Sequence, residues 1–424
     1  MLLNRTLGLP MLTFYGTGMI LGAGIYSVIG QAAGIAGESL WQGFLLAGIA
    51  ALLTALSYAE LATMYPTAGA EYIYLRHAFF NQRWFASTIG IAVIFAVCVS
   101  AATVALAFAS YLQHFISLPN FIVASIVLIF FTGINIIGIR QSSWTNAIFT
   151  LIEISGLILF IFLGWSQPEF GNALFTIPTY ATVSSAALVI FAFLGFENIV
   201  SLAEETKNPE KNIPRAILIS LLVSTLLYIL VSLAAVALIP PEQLAKTDSA
   251  IIDASLKVSR NLAGILGGIA LFSTANTVLI ALVTASRIMY GVSKDNSLPK
   301  VLSKTIKKNK TPWIAALVTL LIAILLLLFG KVQTLASIAS FVTMIVFIAV
   351  NAAVIRLRMT EPCKNRPFRS PFAIGNVPIL PAIGIVVCFL FLFQFEQLVY
   401  LTGLLAFVCS GGIYFLYRWF KKQI

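Results

Sequence analysis

The stretch Gly16-Thr17-Gly18-Met19-Ile20-Leu21-Gly22-Ala23-Gly24-Ile25-Tyr26 lies inside the first long apolar run of the chain. Four glycines within nine residues weaken a helix, since each costs about 1 kcal/mol relative to alanine. In hydrocarbon, unwound backbone is tolerated only where protein covers it or where it lines a cavity. Taken alone, the pattern also fits a small-residue face for packing membrane helices. A second stretch, Phe191-Ala192-Phe193-Leu194-Gly195-Phe196-Glu197-Asn198, puts a glycine and a carboxylate well inside another apolar segment. An acid at mid-membrane costs roughly 2.5–3.5 kcal/mol on insertion scales, so its presence there points to function. Interrupted spans at the first and sixth places of a ten-helix core are the sequence pointer to two inverted five-helix repeats with a site at the midplane. The halves share no evident sequence identity, so the repeat rests on the matched breaks.

The remaining sequence agrees with a membrane setting. Of 424 residues, 60% are hydrophobic and only 10% charged, where soluble proteins carry about 25% charged residues. The apolar runs predict an all-α membrane protein of twelve transmembrane helices, at roughly 11–35, 41–63, 84–115, 119–139, 145–166, 183–203, 214–239, 262–292, 312–330, 333–357, 378–395 and 398–419. They group as a first repeat over about 11–166, a second, inverted repeat over about 183–357 and two additional C-terminal helices over about 378–419.

The net charge of +11 is no sign of a nucleic-acid partner, because the basic residues fall in short gaps between apolar runs. With the N-terminus inside, 22 of the 26 Lys and Arg residues face the cytoplasm, and only Lys246, Lys257, Arg260 and Lys331 lie outside. This asymmetry follows the positive-inside rule and places both termini in the cytoplasm of a multi-pass protein of the plasma (cell inner) membrane. The first run is followed at once by another span and is read as retained rather than cleaved. Cys98, Cys388 and Cys409 lie in apolar stretches and Cys363 in a basic loop, without metal-ligand spacing. His77 is expected in a cytoplasmic loop and His114 near the outer surface, each without a metal partner. The sequence holds no nucleophile–base pair, phosphate loop or zinc set that would indicate an enzyme, and no metal or cofactor is expected. Nothing in it sets an oligomeric state.

Two broken helices present opposite polarities. Free N–H groups and the positive helix end at Gly22–Gly24 suit a carboxylate, while freed carbonyls around Phe191–Leu194 suit an ammonium group. A site with both polarities fits a zwitterion, which favours α-amino acids over sugars or simple ions.

The chain resembles the amino acid–polyamine–organocation transporters in several places. The first span looks like that family's glycine-rich element. Tyr58-Ala59-Glu60-Leu61 through Pro66, Gly69, Glu71, Tyr72 and Tyr74 resembles its second helix and first cytoplasmic loop. Phe193-Leu194-Gly195-Phe196-Glu197, Glu205-Thr206-Lys207-Asn208-Pro209 and Ile213-Pro214 resemble its sixth helix and the loop that follows. Ala275-Asn276-Thr277, Ser286-Arg287 and Asp295 to Pro299 look like its eighth-helix region, and Arg366-Pro367-Phe368-Arg369 with Pro371 like the loop before helix eleven. The resemblance implies the inverted-repeat fold and secondary transport of amino acids or their amines. It also implies a substrate carboxylate on Gly22, Ala23 and Gly24, and an amino group on the carbonyls of Phe191, Ala192 and Leu194. Phe191 stands where the family often has an aromatic gate.

Glu153 lies about twelve residues, or ~18 Å at 1.5 Å per residue, from the cytoplasmic end of the fifth span. Several proton-coupled relatives carry a lysine here, so glutamate is a departure. A carboxyl at this depth loses hydration and favours holding its proton, so it can load and release one near neutral pH. Glu153 is therefore a candidate proton site, with Ser273 and Thr274 of helix eight as candidate partners. The competing readings are a permanently protonated structural carboxyl and a sodium ligand. Glu197 is equally open between coupling and capping the second half of helix six. Glu60 reads as satisfying backbone or loop groups at a cytoplasmic helix end, with gating as the alternative, and Lys304–Lys310 reads as a topology signal. The combined expectation is an amino acid transporter working by alternating access, with protons as coupling ion and the bilayer as its setting. An exchanger without net proton movement is the alternative, and a non-transporting amino acid sensor a more distant one.

Overall fold

The computed structural model describes residues 3–80, 82–113, 116, 118–247, 250–328 and 332–423, without the side chains of Ala23, Ser27, Asn172, Val332, Gln333, Lys422 and Gln423. His114 and Lys331 thus lie outside the described residues, as does the side chain of Ala23. The fold is almost wholly helical. Its first half contains α1 (Leu9–Ala36), α2 (Leu40–Met64), the short α3 (Ala70–Ala78), α4 (Arg83–Leu112), α5 (Asn120–Ile137) and α6 (Ile139–Trp165). After the one-turn α7 (Glu169–Ala173) come α8 (Tyr180–Phe193), a tighter-wound segment Phe196–Glu205 and α9 (Pro209–Leu238). Then follow the short α10 (Pro241–Leu244) and α11 (Ala250–Leu256), the long α12 (Arg260–Lys294), α13 (Trp313–Leu327) and α14 (Val332–Thr360). A small hairpin pairing Ala373–Ile374 with Val377–Pro378 leads to α15 (Ile379–Leu392) and α16 (Gln397–Gln423).

Among the described residues, ten helices are long and apolar enough to cross a membrane. The helices α13 and α15, with 15 and 14 residues, are apolar but shorter. At 1.5 Å per residue each reaches only ~22 Å, against ~30 Å of hydrocarbon. Burial varies from the centre outward. The helix α4 is buried along most of its length, whereas α16 exposes Leu401, Leu404, Leu405, Val408, Phe415 and Trp419. Such an apolar periphery is a liability in water and an ordinary surface in lipid.

The interior is organised around α1, which packs against α6, α8, α9 and α12. The helix α2 lies on α8 and α9, and α4 on α12 and α14, while α15 and α16 cover α14 from outside. Several boundaries differ from those the spacing predicts. Helix five begins at Ile139 rather than near 145, because Gly138 (φ 144°) turns the chain directly from α5 into α6. The polar Arg140-Gln141-Ser142-Ser143 stretch reads as a loop, yet it is the first turn of α6, with Ser142 and Ser143 buried. Helix seven starts at Pro209 and runs through Pro214, giving up one backbone hydrogen bond there. The predicted sixth span is two pieces, α8 and Phe196–Glu205.

Two stretches of backbone come close together where α12 meets the start of α3. A Cβ on Gly291 would lie 2.2 Å from the Gly69 nitrogen. Gly291→Val is therefore expected to cost about 1–3 kcal/mol through overpacking, whereas Gly268→Ala, at a position with no atom within 4 Å, leaves stability unchanged or slightly raised. Thermal unfolding of the purified protein in detergent checks the pair, and equal melting temperatures would contradict this packing.

Candidate functional site

The two interrupted helices meet. In α1 the backbone leaves helical geometry at Gly22 (φ −3°, ψ −128°). The helix α8 starts at a capping box between Thr179 and Thr182 and ends at Phe193. Leu194 is then extended (φ −63°, ψ 134°), and Gly195 turns the chain with φ 134°, a conformation costly for any residue with a Cβ. The same glycine needs closeness, since a Cβ there would lie 2.7 Å from the Met19 side chain. A Cβ on Gly24 would lie 2.7 Å from the Ala192 Cα, and one on Gly22 would overlap the Thr277 hydroxyl. The glycines thus let the α1 break press onto the end of α8 on one side and onto α12 on the other.

A hydroxyl that sequence reasoning missed ties the breaks together. Tyr228 of α9 lies with its hydroxyl 2.5 Å from the Ile20 carbonyl oxygen, 3.4 Å from that of Leu21 and 2.9 Å from that of Ala192. The one Tyr228 hydroxyl is thus within reach of main-chain carbonyls from both broken helices. Its ring is held by Phe44 and Phe193, at centroid distances of 5.3 and 5.1 Å.

Beside this crossing is a small cavity of about 60 Å³. Met19, Ile20 and Gly24 of α1 line it, with Phe191, Leu194, Gly195, Glu197 and Asn198 of the second break. The helix α4 adds Ala96, Val97, Ser100 and Val104, α12 adds Thr277 and α14 adds Thr343. Of the residues singled out from sequence, Gly24, Phe191, Leu194 and Glu197 share this cavity. Ala192 turns its carbonyl to Tyr228 instead. Glu197 is buried and accepts hydrogen bonds from the Gly195 N–H at 2.8 Å and the Asn198 side chain at 3.3 Å.

Glu153 stands behind α1, apart from the cavity lining. Fully buried on α6, it accepts a hydrogen bond from the Ser273 hydroxyl at Oε1, and its Oε2 has no partner. Ser273 also lies 3.1 Å from the Gly22 carbonyl oxygen, so one hydroxyl bridges Glu153 to the α1 break. Thr274 directs its hydroxyl to the Ala270 and Leu271 carbonyls of its own helix. Near Gly18, Asn276 donates to Thr150 at 3.0 Å, and Thr150 bonds the Phe14 carbonyl at 3.3 Å. No Lys or Arg pairs with Glu153 or Glu197 among the described residues.

The end of the bundle that holds the N-terminus is crossed by several ion pairs. Arg287 of α12, fully buried, meets Glu205 at 3.3 Å and bonds Asn135 of α5. The Thr6 and Leu7 N–H groups donate to the Glu205 carbonyl at 2.9 and 3.0 Å, and the Lys207 N–H donates to the Leu7 carbonyl at 2.8 Å. Asp295 pairs with Arg76 and, at 3.6 Å, with Arg83. Glu60, expected to satisfy loop groups, accepts the Ser370 N–H at 2.9 Å and also pairs with Arg358 and Arg366. His77 stacks on Tyr65 at 4.2 Å. An arginine in an apolar eighth span and a carboxylate ending the sixth are visible in sequence, but not that they meet.

The sequence pattern described as amino acid permease matches residues 7–411. The chain is 31% identical to the branched-chain amino acid permease of Bacillus subtilis (strain 168), over 98% of its own length and 93% of that protein's. It is 29% identical to the methylthioribose transporter of the same organism, over 98% of this chain and 94% of that one. Likewise it is 29% identical to cationic amino acid transporter 4 of Mus musculus, over 87% of this chain and 62% of that protein.

The Arg287–Glu205 pair generates a stability prediction. Arg287→Met leaves Glu205 buried and uncompensated, at an expected cost of about 3–5 kcal/mol. Adding Glu205→Leu to it is expected to restore part of the loss, as read from a double-mutant cycle of unfolding free energies. Additive losses would show that the pair does not act as a unit.

Proposed function

The chain belongs to the amino acid permease family, and from that premise we propose that it is a secondary active transporter moving amino acids across the membrane by alternating access. The observation that carries this reading is the crossing of two interrupted helices beside a cavity, with the Ile20, Leu21 and Ala192 carbonyls crowding a single Tyr228 hydroxyl. Main-chain carbonyls at a helix break attract an ammonium group. The substrate amino group is assigned to the Phe191, Ala192 and Leu194 end of α8, its carboxylate to Gly22, Ala23 and Gly24, and the gate to Phe191. In this reading α13 and α15 also span, giving twelve helices. Residues 11–166 and 183–357 are inverted repeats, 378–419 are an addition, and both termini are cytoplasmic.

The side-chain end of the cavity favours a neutral, apolar substrate. Met19, Ile20, Val97, Val104 and Phe191 line it, and its carboxylate, Glu197, is already engaged by Gly195 and Asn198. The branched-chain permease and the methylthioribose transporter match this chain about equally well, but methylthioribose brings no ammonium to the carbonyls. Thermal-shift measurements with leucine, valine, arginine and methylthioribose separate the possibilities. Leucine or valine is expected to stabilise the protein most, by about 2.7 kcal/mol at a hundredfold excess over Kd. A shift with methylthioribose alone would sink the amino acid assignment.

Proton coupling is assigned to Glu153 acting through Ser273. An ionised Glu153 requires the single Ser273 proton for itself. A protonated Glu153 donates to Ser273, whose own proton is then free for the Gly22 carbonyl. Charge on Glu153 thereby sets whether the α1 break is satisfied from α12. Glu153→Gln is expected to keep substrate binding and to lose accumulation driven by a pH gradient in proteoliposomes. Full accumulation in that variant would count against a proton role for Glu153.

A further inference from the structure

Adjoining the cavity described above is a smaller one, of about 20 Å³. The two share Ala96, Val97, Glu197, Asn198 and Thr343 as wall, so Glu197 stands at the partition between them. The inner cavity is closed on its far side by Tyr58 of α2 and Glu71 of α3, with Val93 and Val346 between. Glu71 is 2% exposed, and its Oε2 makes no hydrogen bond. As a first-turn acid, Glu71 meets the backbone N–H at its own helix start, an ordinary capping duty. That duty accounts for one of its two oxygens. The Tyr58 hydroxyl lies beside Glu71 without the geometry of a full hydrogen bond, within electrostatic reach of both carboxyls. Its ring is fixed edge-on against Tyr74, Phe196 and Phe347.

We propose that Glu71 and Glu197 form a proton-exchange pair, distinct from Glu153, in which Glu71 takes up the proton that Glu197 releases and passes it toward the end of the bundle that holds the N-terminus. This inference rests on the transport reading for its purpose but not for its chemistry. One proton moves: Glu197 is left ionised, Glu71 neutral, and Tyr58, within electrostatic reach of both, returns to its starting state. The surroundings favour sharing one proton over ionising both acids. The titratable neighbours are Tyr58 from α2, Tyr74 from α3 itself and Glu197 from the second break. The helices α4 and α14 present Val93, Ala96, Val97, Thr343 and Val346, and α12 meets α3 through Gly291 on Gly69. No cation pairs with either acid among the described residues. Two carboxyls facing one low-dielectric cavity titrate as a unit, the charge of each opposing ionisation of the other.

Burial, and secondarily the charge of Glu197, pushes the Glu71 carboxyl up to about 7. The folded protein therefore holds this proton up to about pH 7, while the unfolded chain releases it near 4.5. Folded-state stability accordingly falls as pH rises through that window.

Infrared difference titration of the purified protein tests the pair. A protonated-carboxyl band is expected to fade as pH rises through about 7, to be missing in Glu71→Gln, to fade at lower pH in Glu197→Gln and to persist in Glu153→Gln. Glutamine retains the capping group, so Glu71→Gln is expected to fold, with a melting temperature that falls less between pH 5 and 7.5 than in the parent. A band and a pH slope unchanged in Glu71→Gln would overturn the proposal, as would a Glu71 titration indifferent to Glu197→Gln. In proteoliposomes, leucine uptake is expected to lose its response to internal pH in Glu71→Gln and to weaken it in Tyr58→Phe. If leucine does not move in the parent protein, the transport reading fails, and the infrared titration still decides the proton pair.

Discussion

A broken helix inside a membrane leaves main-chain groups without partners, and hydrocarbon offers none in return. Much of the interior is arranged around that shortage. Gly22, Gly24 and Gly195 omit side chains where two breaks must touch Thr277, Ala192 and Met19. Tyr228 spends its one proton among three carbonyls, and Ser273 lies between the Gly22 carbonyl and Glu153. In the function proposed above, the same deficit that would make an isolated broken span unstable is what receives the charged groups of a small molecule.

The acids divide by what surrounds them. Glu60, Glu204, Glu205 and Asp295 lie toward the end with the basic residues, and each meets Arg or Lys. Glu71, Glu153 and Glu197 are buried without any such partner among the described residues. An unpaired carboxylate is costly in low dielectric and a neutral acid is not. The first set therefore fits holding elements together, and the second is the set to which the proton proposals above are assigned.

The two breaks were legible because glycine in an apolar run and an acid in mid-span are local anomalies that need no knowledge of neighbours. Most spans followed from apolar length alone. Other features depend on contacts distant in sequence. Tyr228 sits in Leu226-Leu227-Tyr228-Ile229-Leu230, where an aromatic reads as one more apolar residue until Ile20 and Ala192 are brought beside it. Glu71 reads as loop polarity, because only the fold shows that α3 is tucked under α4 and α14. The turn at Gly138 misled in the other direction, since a polar stretch next to glycine resembles a loop whether or not a helix resumes at once.

Leu7 and Thr6 are joined to Glu205 and Lys207 through main-chain atoms alone. Leu7 also packs its side chain into the core. A clasp of that kind is blind to the exposed Thr6 side chain, so substitutions there should be silent as long as the amide remains. It is sensitive to spacing instead. Deleting one residue ahead of α1 would slide the strand out of step with its acceptors, and the leading segment then acts as a length-calibrated latch on the part of the chain where α8 gives way to α9.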